Sequence, residues 1–456
     1  MDLAEENSTL HSGRFLFLWL LVLMMVGFSC QQDEEWFEPE VDTGQQNVLK
    51  NIEILSPGEF KGTYSGGEWT IKLPEDWNSS TTPYLIFYAH GMVDPVPYEP
   101  VQLPNDFIGG QSVADIVTGM NMGYVATSYR DNGLIVLEAV EDVKNLVDVV
   151  NQFFFDHTEY SPPVYLFLGG PSEGGQVTVK TIEKYPYLFD GAISICGPIG
   201  NYYNQLQYNG DFHVLFNYFF GADLAALGIN LGSPLGVNPA LMAAWKANLI
   251  QPAILAVLSS NPGKVLELLR CAKVPVDVTD DDAVGTAILE LLRFNIMLTN
   301  NVIEHMNGVP YNNKFKWYSG SSNDRLLNRT VERILDKTYH RAKNTVRKYE
   351  TSGEIAVPLV TIHTTGDHVV PFWHNPLYRL KVFVSGSSLL HTGIPVVEYG
   401  HCTIDETHVM AAVAIIITKA TLMDKFEIAS TAFKSDHQRQ AFKKILKENA
   451  VDVEFD

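Results

Sequence analysis

The stretch Val164-Tyr165-Leu166-Phe167-Leu168-Gly169-Gly170-Pro171-Ser172-Glu173-Gly174-Gly175 constrains this chain more than any other. An apolar run of strand length passes through Gly-x-Ser-x-Gly into a segment with helix-compatible spacing. A chain that goes from strand to helix in so few residues must turn sharply. Such a turn needs strained backbone angles and a close approach of strand to helix, where a β-carbon would clash, and glycine relieves both. Ser172 stands at the apex with its hydroxyl lifted clear of the sheet, so it is the candidate nucleophile. The pentapeptide is short enough to arise by chance and gains weight only from partners. A nucleophilic serine needs a base, and the base needs a group to orient it.

Two other predicted strand ends offer those partners. Leu359-Val360-Thr361-Ile362 continues through His363-Thr364-Thr365-Gly366 to Asp367, followed by His368-Val369-Val370-Pro371. Ile394-Pro395-Val396-Val397-Glu398-Tyr399 ends at Gly400-His401-Cys402, with a helix-like run from Val409 to Ile417 beyond. Asp367 and His401 therefore each follow a strand. Of the thirteen histidines, His391 is expected before its strand, His363 within one and His408 in the next helix. That leaves His401 as the candidate base and Asp367 as the carboxylate that orients it.

The order Ser172, Asp367, His401, each at the carboxyl end of its own strand, resembles that of the α/β-hydrolases. The chain is most similar to the secreted esterase and prolyl-oligopeptidase-like branches, over roughly residues 51–196 and 357–420. The resemblance implies an α/β-hydrolase fold, a mostly parallel twisted sheet flanked by helices. It also implies an oxyanion hole made by two backbone N–H groups. The first is that of Glu173. The second, here Met92, comes from the loop after the apolar strand Tyr84–Ala89, which reads His90-Gly91-Met92. His401-Cys402 also resembles half of the tannase and feruloyl-esterase pattern, but Pro171 precedes the serine where that pattern has a cysteine, so no substrate is carried over.

Strand and helix alternate elsewhere too. Residues 51–82 suggest opening antiparallel strands. Gly123–Arg130 reads as a strand, and Val136, Val140, Val143, Val147 and Val150 recur at helical spacing, which together point to a parallel sheet with crossover helices. Arg130 and Asp131 fall at the catalytic edge, where a structural salt bridge is expected. Between Cys196 and Val357 the alternation stops. That length requires its own structure and reads as a helical lid whose Met297, Tyr311, Trp317 and Tyr318 would wall an acyl or aryl pocket. Thr279-Asp280-Asp281-Asp282 begins one of its helices and suits an N-cap better than a calcium loop.

The expected organisation is a lipoprotein signal peptide at 1–30, an acidic tether at 31–46, core segments at 47–198 and 356–422 around the insertion at 199–355, and a C-terminal helix with a frayed tail at 423–456. Residues 15–29 are apolar after Arg14 and lead to Cys30, too short a run for a comfortable span. Cys30 would be the lipidated first residue of a bacterial exported protein anchored to the membrane; a cleaved secretory signal and a membrane anchor are the alternatives. Three more cysteines follow. A Cys196 to Cys402 disulfide would pin the histidine loop, with Cys271 as a rival partner or all three as free thiols.

A net charge of -21 argues against a nucleic-acid partner, and the basic residues 337–348 read as a solvated helix face. No His-x-x-x-His or paired Cys-x-x-Cys spacing suggests a metal, and no cofactor is implied. The expected activity is hydrolysis of a small-molecule carboxylic ester. A serine peptidase of prolyl-oligopeptidase type and a non-catalytic binding lipoprotein are the rival readings.

Overall fold

The computed structural model describes residues 50–79, 83–108, 110–423, 425–428 and 430–455. The leader at 1–30 with Cys30, and the tether at 31–46, lie outside the described residues.

Nine strands form one sheet in the order β1-β2-β3-β7-β4-β8-β9-β10-β11. They are β1 (Lys50–Ser56), β2 (Glu59–Tyr64), β3 (Gly67–Lys72), β4 (Tyr84–Tyr88), β7 (Gly123–Thr127), β8 (Tyr165–Pro171), β9 (Gly191–Ile195), β10 (Leu359–Gly366) and β11 (His391–Tyr399). A ribbon of β5 (Phe107–Ile108) and β6 (Gln111–Ser112) lies apart from it. The first three strands pair antiparallel with one another and with β7; from β7 to β11 every pairing is parallel. An antiparallel opening followed by parallel strands, with β7 beyond β4 and then β8 to β11 in sequence, is the strand order of the α/β-hydrolase fold.

The inner parallel strands β4, β7, β9 and β10 are buried on both faces, which explains why they read as continuous apolar runs, whereas the edge strand β11 alternates. Helix Val136–Asp156 covers one face with Val136, Val140, Val143, Val147 and Val150, all buried. Helix Glu406–Thr421 covers the other, and its residues from Met410 through Thr418 are all buried. That depth is possible because helix Asp436–Glu448 lies outside it and places Phe442 and Leu446 in the same core. The chain end departs from expectation: it is ordered, with β13 (Asp452–Phe455) paired in parallel to β12 (Lys425–Ile428). Phe455 packs edge-on against Phe433 and Phe442, an apolar contact that holds the terminus down. His391 also differs from expectation. It opens β11, and its Nε2 lies 3.0 Å from Thr361 Oγ1 on the neighbouring strand.

Between β9 and β10 the chain forms seven helices, including Tyr202–Ala225, Pro239–Lys246, Gln251–Ser259, Pro262–Ala272 and the long Asp281–His305. They enclose a core of their own, built from Phe212, Phe216, Phe220, Leu268, Ile288 and Leu292 among others. Asp280 caps the long helix, its carboxylate accepting from the N–H groups of Asp282 and Ala283. Two orphan helix donors are thereby satisfied.

Candidate active site

Ser172 sits at φ 54°, ψ -121°, in the left-handed half of backbone space that a residue with a side chain enters only when its surroundings hold it there. Its N–H donates to Ile195 O at 2.7 Å, which ties the turn to β9. A β-carbon on Gly170 or on Gly174 would come within 2.0 Å of Ala89 O, so no other residue fits at either place without moving the loop after β4. The same closeness brings Met92 to the pocket that Ser172 and Glu173 line. Glu173 opens helix Glu173–Lys184, so its N–H is among those a helix leaves without an internal acceptor.

The structure brings the three distant residues together. His401 Nε2 lies 2.9 Å from Ser172 Oγ, and His401 Nδ1 lies 2.8 Å from Asp367 Oδ2. A carboxylate can only accept, so Nδ1 carries the proton and Nε2 is left to accept from the serine hydroxyl. Asp367 is fully buried, and its other oxygen accepts from the N–H groups of Val369 and Val370 at 2.9 and 2.8 Å. Burial opposes charge on both partners, yet their attraction prevails. Asp367 is held below the usual carboxylate range and pushes the His401 imidazole up to about 9. His363, also near Asp367, is driven down by burial, and its Nε2 pairs with Val370 O at 2.7 Å.

Cys196 and Cys402 are brought to the same edge but do not form the expected disulfide; they and Cys271 are free thiols. Cys196 Sγ faces Thr364 Oγ1 at 3.9 Å, while Cys402 Sγ lies 3.9 Å from Ile195 O and 3.8 Å from His401 Nε2. Hydrogen bonds hold the histidine loop instead: Thr364 Oγ1 donates to Gly400 O at 2.8 Å, and Asp367 holds His401 itself. Arg130 lies away from the pocket wall. It pairs with buried Asp142, its backbone N–H donating to Oδ2 and its Nε to Oδ1. Asp131 turns back on the N–H of Asn132.

The insertion supplies much of the pocket wall. Phe294, Leu298, Val302 and Ile303 of helix Asp281–His305 face Ser172 together with Leu206 and Tyr311. Of the aromatic residues expected there, Tyr318 is instead buried with its hydroxyl on Asp211, and Trp317 is largely exposed. Met297 is fully buried in the insertion's own core. The polar groups of the wall are mostly engaged elsewhere. Gln176 Nε2 donates to Tyr349 O, Gln205 Nε2 to Val369 O and Asn295 Nδ2 to Leu291 O. What the wall presents is therefore chiefly apolar.

Helix Asp281–His305 is fastened to the loops that follow β4 and β10. Arg293 Nη2 meets buried Asp94, two residues past Met92, at 2.8 Å, and Glu290 meets His368, one residue past Asp367, at 2.6 Å. Helical spacing alone cannot show which residues of an apolar helix turn toward such a site, and none of these contacts left a mark in the sequence. Among the described residues, two triplets bring potential metal-binding atoms within 4.8 Å of one another, Cys196-His363-Asp367 and Asp367-His401-Cys402. Both draw on Asp367, whose oxygens already serve His401 and two amides.

No family model and no curated protein matches the chain in sequence. Among solved structures it is similar to an esterase from Aspergillus oryzae (14% identity, TM-score 0.40, covering 80% of this chain and 79% of that one). It is also similar to Candida antarctica lipase A (12%, 0.42, 80% and 77%). A third likeness is to a Pyrococcus horikoshii acylaminoacyl peptidase (12%, 0.34, 77% and 38%), of whose length this chain spans well under half. The fold assignment rests on the strand order and the serine turn rather than on these likenesses.

Proposed function

We propose that this protein is a serine hydrolase of carboxylic esters. The observation that carries the reading is the unbroken relay from Asp367 through His401 to Ser172, at 2.8 and 2.9 Å. Ser172 Oγ attacks the ester carbonyl as His401 Nε2 takes its proton. Asp367 keeps the imidazole oriented and stabilises its cationic form. The N–H groups of Met92 and Glu173 receive the negative charge on the carbonyl oxygen, which develops only as the tetrahedral intermediate forms. His401 then protonates the departing alcohol, leaving an acyl-Ser172. It next activates water, whose attack releases the acid and restores the serine.

The wall favours an ester over a peptide. A peptide chain needs partners for its own N–H and C=O groups, and the side chains best placed to serve are committed to protein carbonyls. A fluorophosphonate probe and a panel of ester chain lengths against matched amides test the reading. Labelling confined to Ser172, lost in Ser172→Ala, with esters cleaved faster than amides, is the expected result. A folded protein that takes no label would support a binder on the same scaffold.

We also propose that residues 1–30 export the chain and that Cys30 carries a lipid anchor, supported by the apolar run ending at that cysteine. Incorporation of labelled palmitate in cells, abolished by Cys30→Ala, is the corresponding test.

A further inference from the structure

One member of the pocket wall is out of keeping with the rest. Glu173 is only 4% exposed, yet it lies in a wall that holds no lysine, arginine or histidine among the described residues. One of its oxygens accepts a 3.3 Å bond from the N–H of Ile135, and the other has no hydrogen-bond partner among the described residues. Its titratable surroundings are one further carboxyl, Glu138 on helix Val136–Asp156, and the tyrosines Tyr129, Tyr202 and Tyr349. Glu138 itself has a buried oxygen without a partner. Tyr202 shares the wall with Glu173, its ring stacked on that of Tyr349 at 5.4 Å.

An uncompensated carboxyl is costly to bury, and the fold offers this one only its place in the first turn of helix Glu173–Lys184 and a single long bond from the N–H of Ile135. A carboxyl among tyrosines, with no cation of its own, is the chemistry that receives an organic cation. We propose that the Glu173 side chain binds a positively charged nitrogen of the substrate, so that the enzyme prefers esters carrying a cationic amine close to the scissile carbonyl. Closeness follows from the chain itself, because Glu173 directly succeeds the nucleophile. The inference rests on the ester hydrolase reading and names the substrate class within it.

Burial, with a smaller contribution from Glu138, pushes the Glu173 carboxyl up to about 8 against the pull of the Ile135 N–H. The empty pocket therefore holds a proton on Glu173 near neutral pH and releases it to solvent as the cation enters. The preference for a cation should grow with pH, because the ionised form is the one that attracts it.

The test compares kcat/KM for isosteric ester pairs, a trimethylammonio group against a tert-butyl group, placed once on the acyl side and once on the alcohol side. That cation does not titrate, and taking the ratio cancels any effect of pH or mutation on His401 and the oxyanion hole. At pH 9 the cationic member of one pair should be preferred by about tenfold or more. The preference should be smaller at pH 6 and fall toward one in Glu173→Gln. Ratios near one in the wild type at both pH values overturn the proposal, as does a preference that Glu173→Gln retains. Should that variant not fold, the wild-type pH series decides, and a preference that does not vary with pH defeats the idea. Neutral esters cleaved and Ser172 labelled, with a ratio of one, defeats this inference alone. No cleavage and no labelling defeats the hydrolase reading and this inference with it.

Discussion

The rim of the sheet that carries Ser172 and the helical insertion meet in one pocket, but they hold their groups in different ways. At the rim, backbone does the holding. Ser172 N–H is bonded to Ile195 O, Asp367 to two successive amides, and the turn glycines press against Ala89 O. In the insertion, Phe294 and Leu298 are positioned by side-chain packing in a separate apolar core. Parallel strands fix atoms to fractions of an ångström through ladders with one register. Apolar packing accepts changes of shape as long as volume is kept. The difference leaves the rim exacting in its geometry and the insertion tolerant of changes in shape.

The sharpest way to break this division is to remove the hydroxyl. Ser172→Ala should lower kcat by ~10⁴-fold or more with little change in stability, measured by ester turnover and thermal unfolding. Substantial residual turnover would move the nucleophile off the rim. Asp367→Asn should cost ~10³–10⁴-fold in kcat and also shift the pH profile. Activity requires the neutral imidazole, so kcat/KM in the wild type should climb with pH through a midpoint above the ordinary histidine value of 6.5. The asparagine removes the negative charge that raises this midpoint, so the profile should move to lower pH. A midpoint that stays put would mean that Asp367 does not govern His401.

Gly174→Ala tests the rim as architecture rather than chemistry. With a β-carbon 2.0 Å from Ala89 O, it should destabilise by about 2 kcal/mol or more and displace the serine. Unchanged unfolding would show that the turn has slack. Phe294→Ala tests the other side. It should change the preferred acyl length, with effects on KM of about tenfold and a smaller effect on kcat, read from a chain-length series. A large loss of kcat with every ester would mean that the insertion holds the catalytic groups as firmly as the rim does.

Ser172, Asp367 and His401 were legible because each carries its own local sign, a strand ending in a turn, and the chain order completes the pattern. The inner strands of the parallel sheet were legible as well, since burial on both faces writes an unbroken apolar run. The expected Cys196–Cys402 disulfide was not correct, because two cysteines at one edge say nothing about which atoms their thiols face. The ordered C-terminus was missed because β12 and β13 pair across 23 intervening residues that include a helix.

Local spacing by itself determined the sheet, the serine turn and the identity of the three residues that meet there, since strand and turn preferences act over a few neighbouring residues. Only the tertiary structure decided which face of helix Asp281–His305 looks onto Ser172, and that Arg293 and Glu290 fasten it there. It also left Glu173 in a pocket wall without a cation among the described residues. Those outcomes depend on long-range packing, where every apolar residue is equally suited to the core until the partners across the gap are in place.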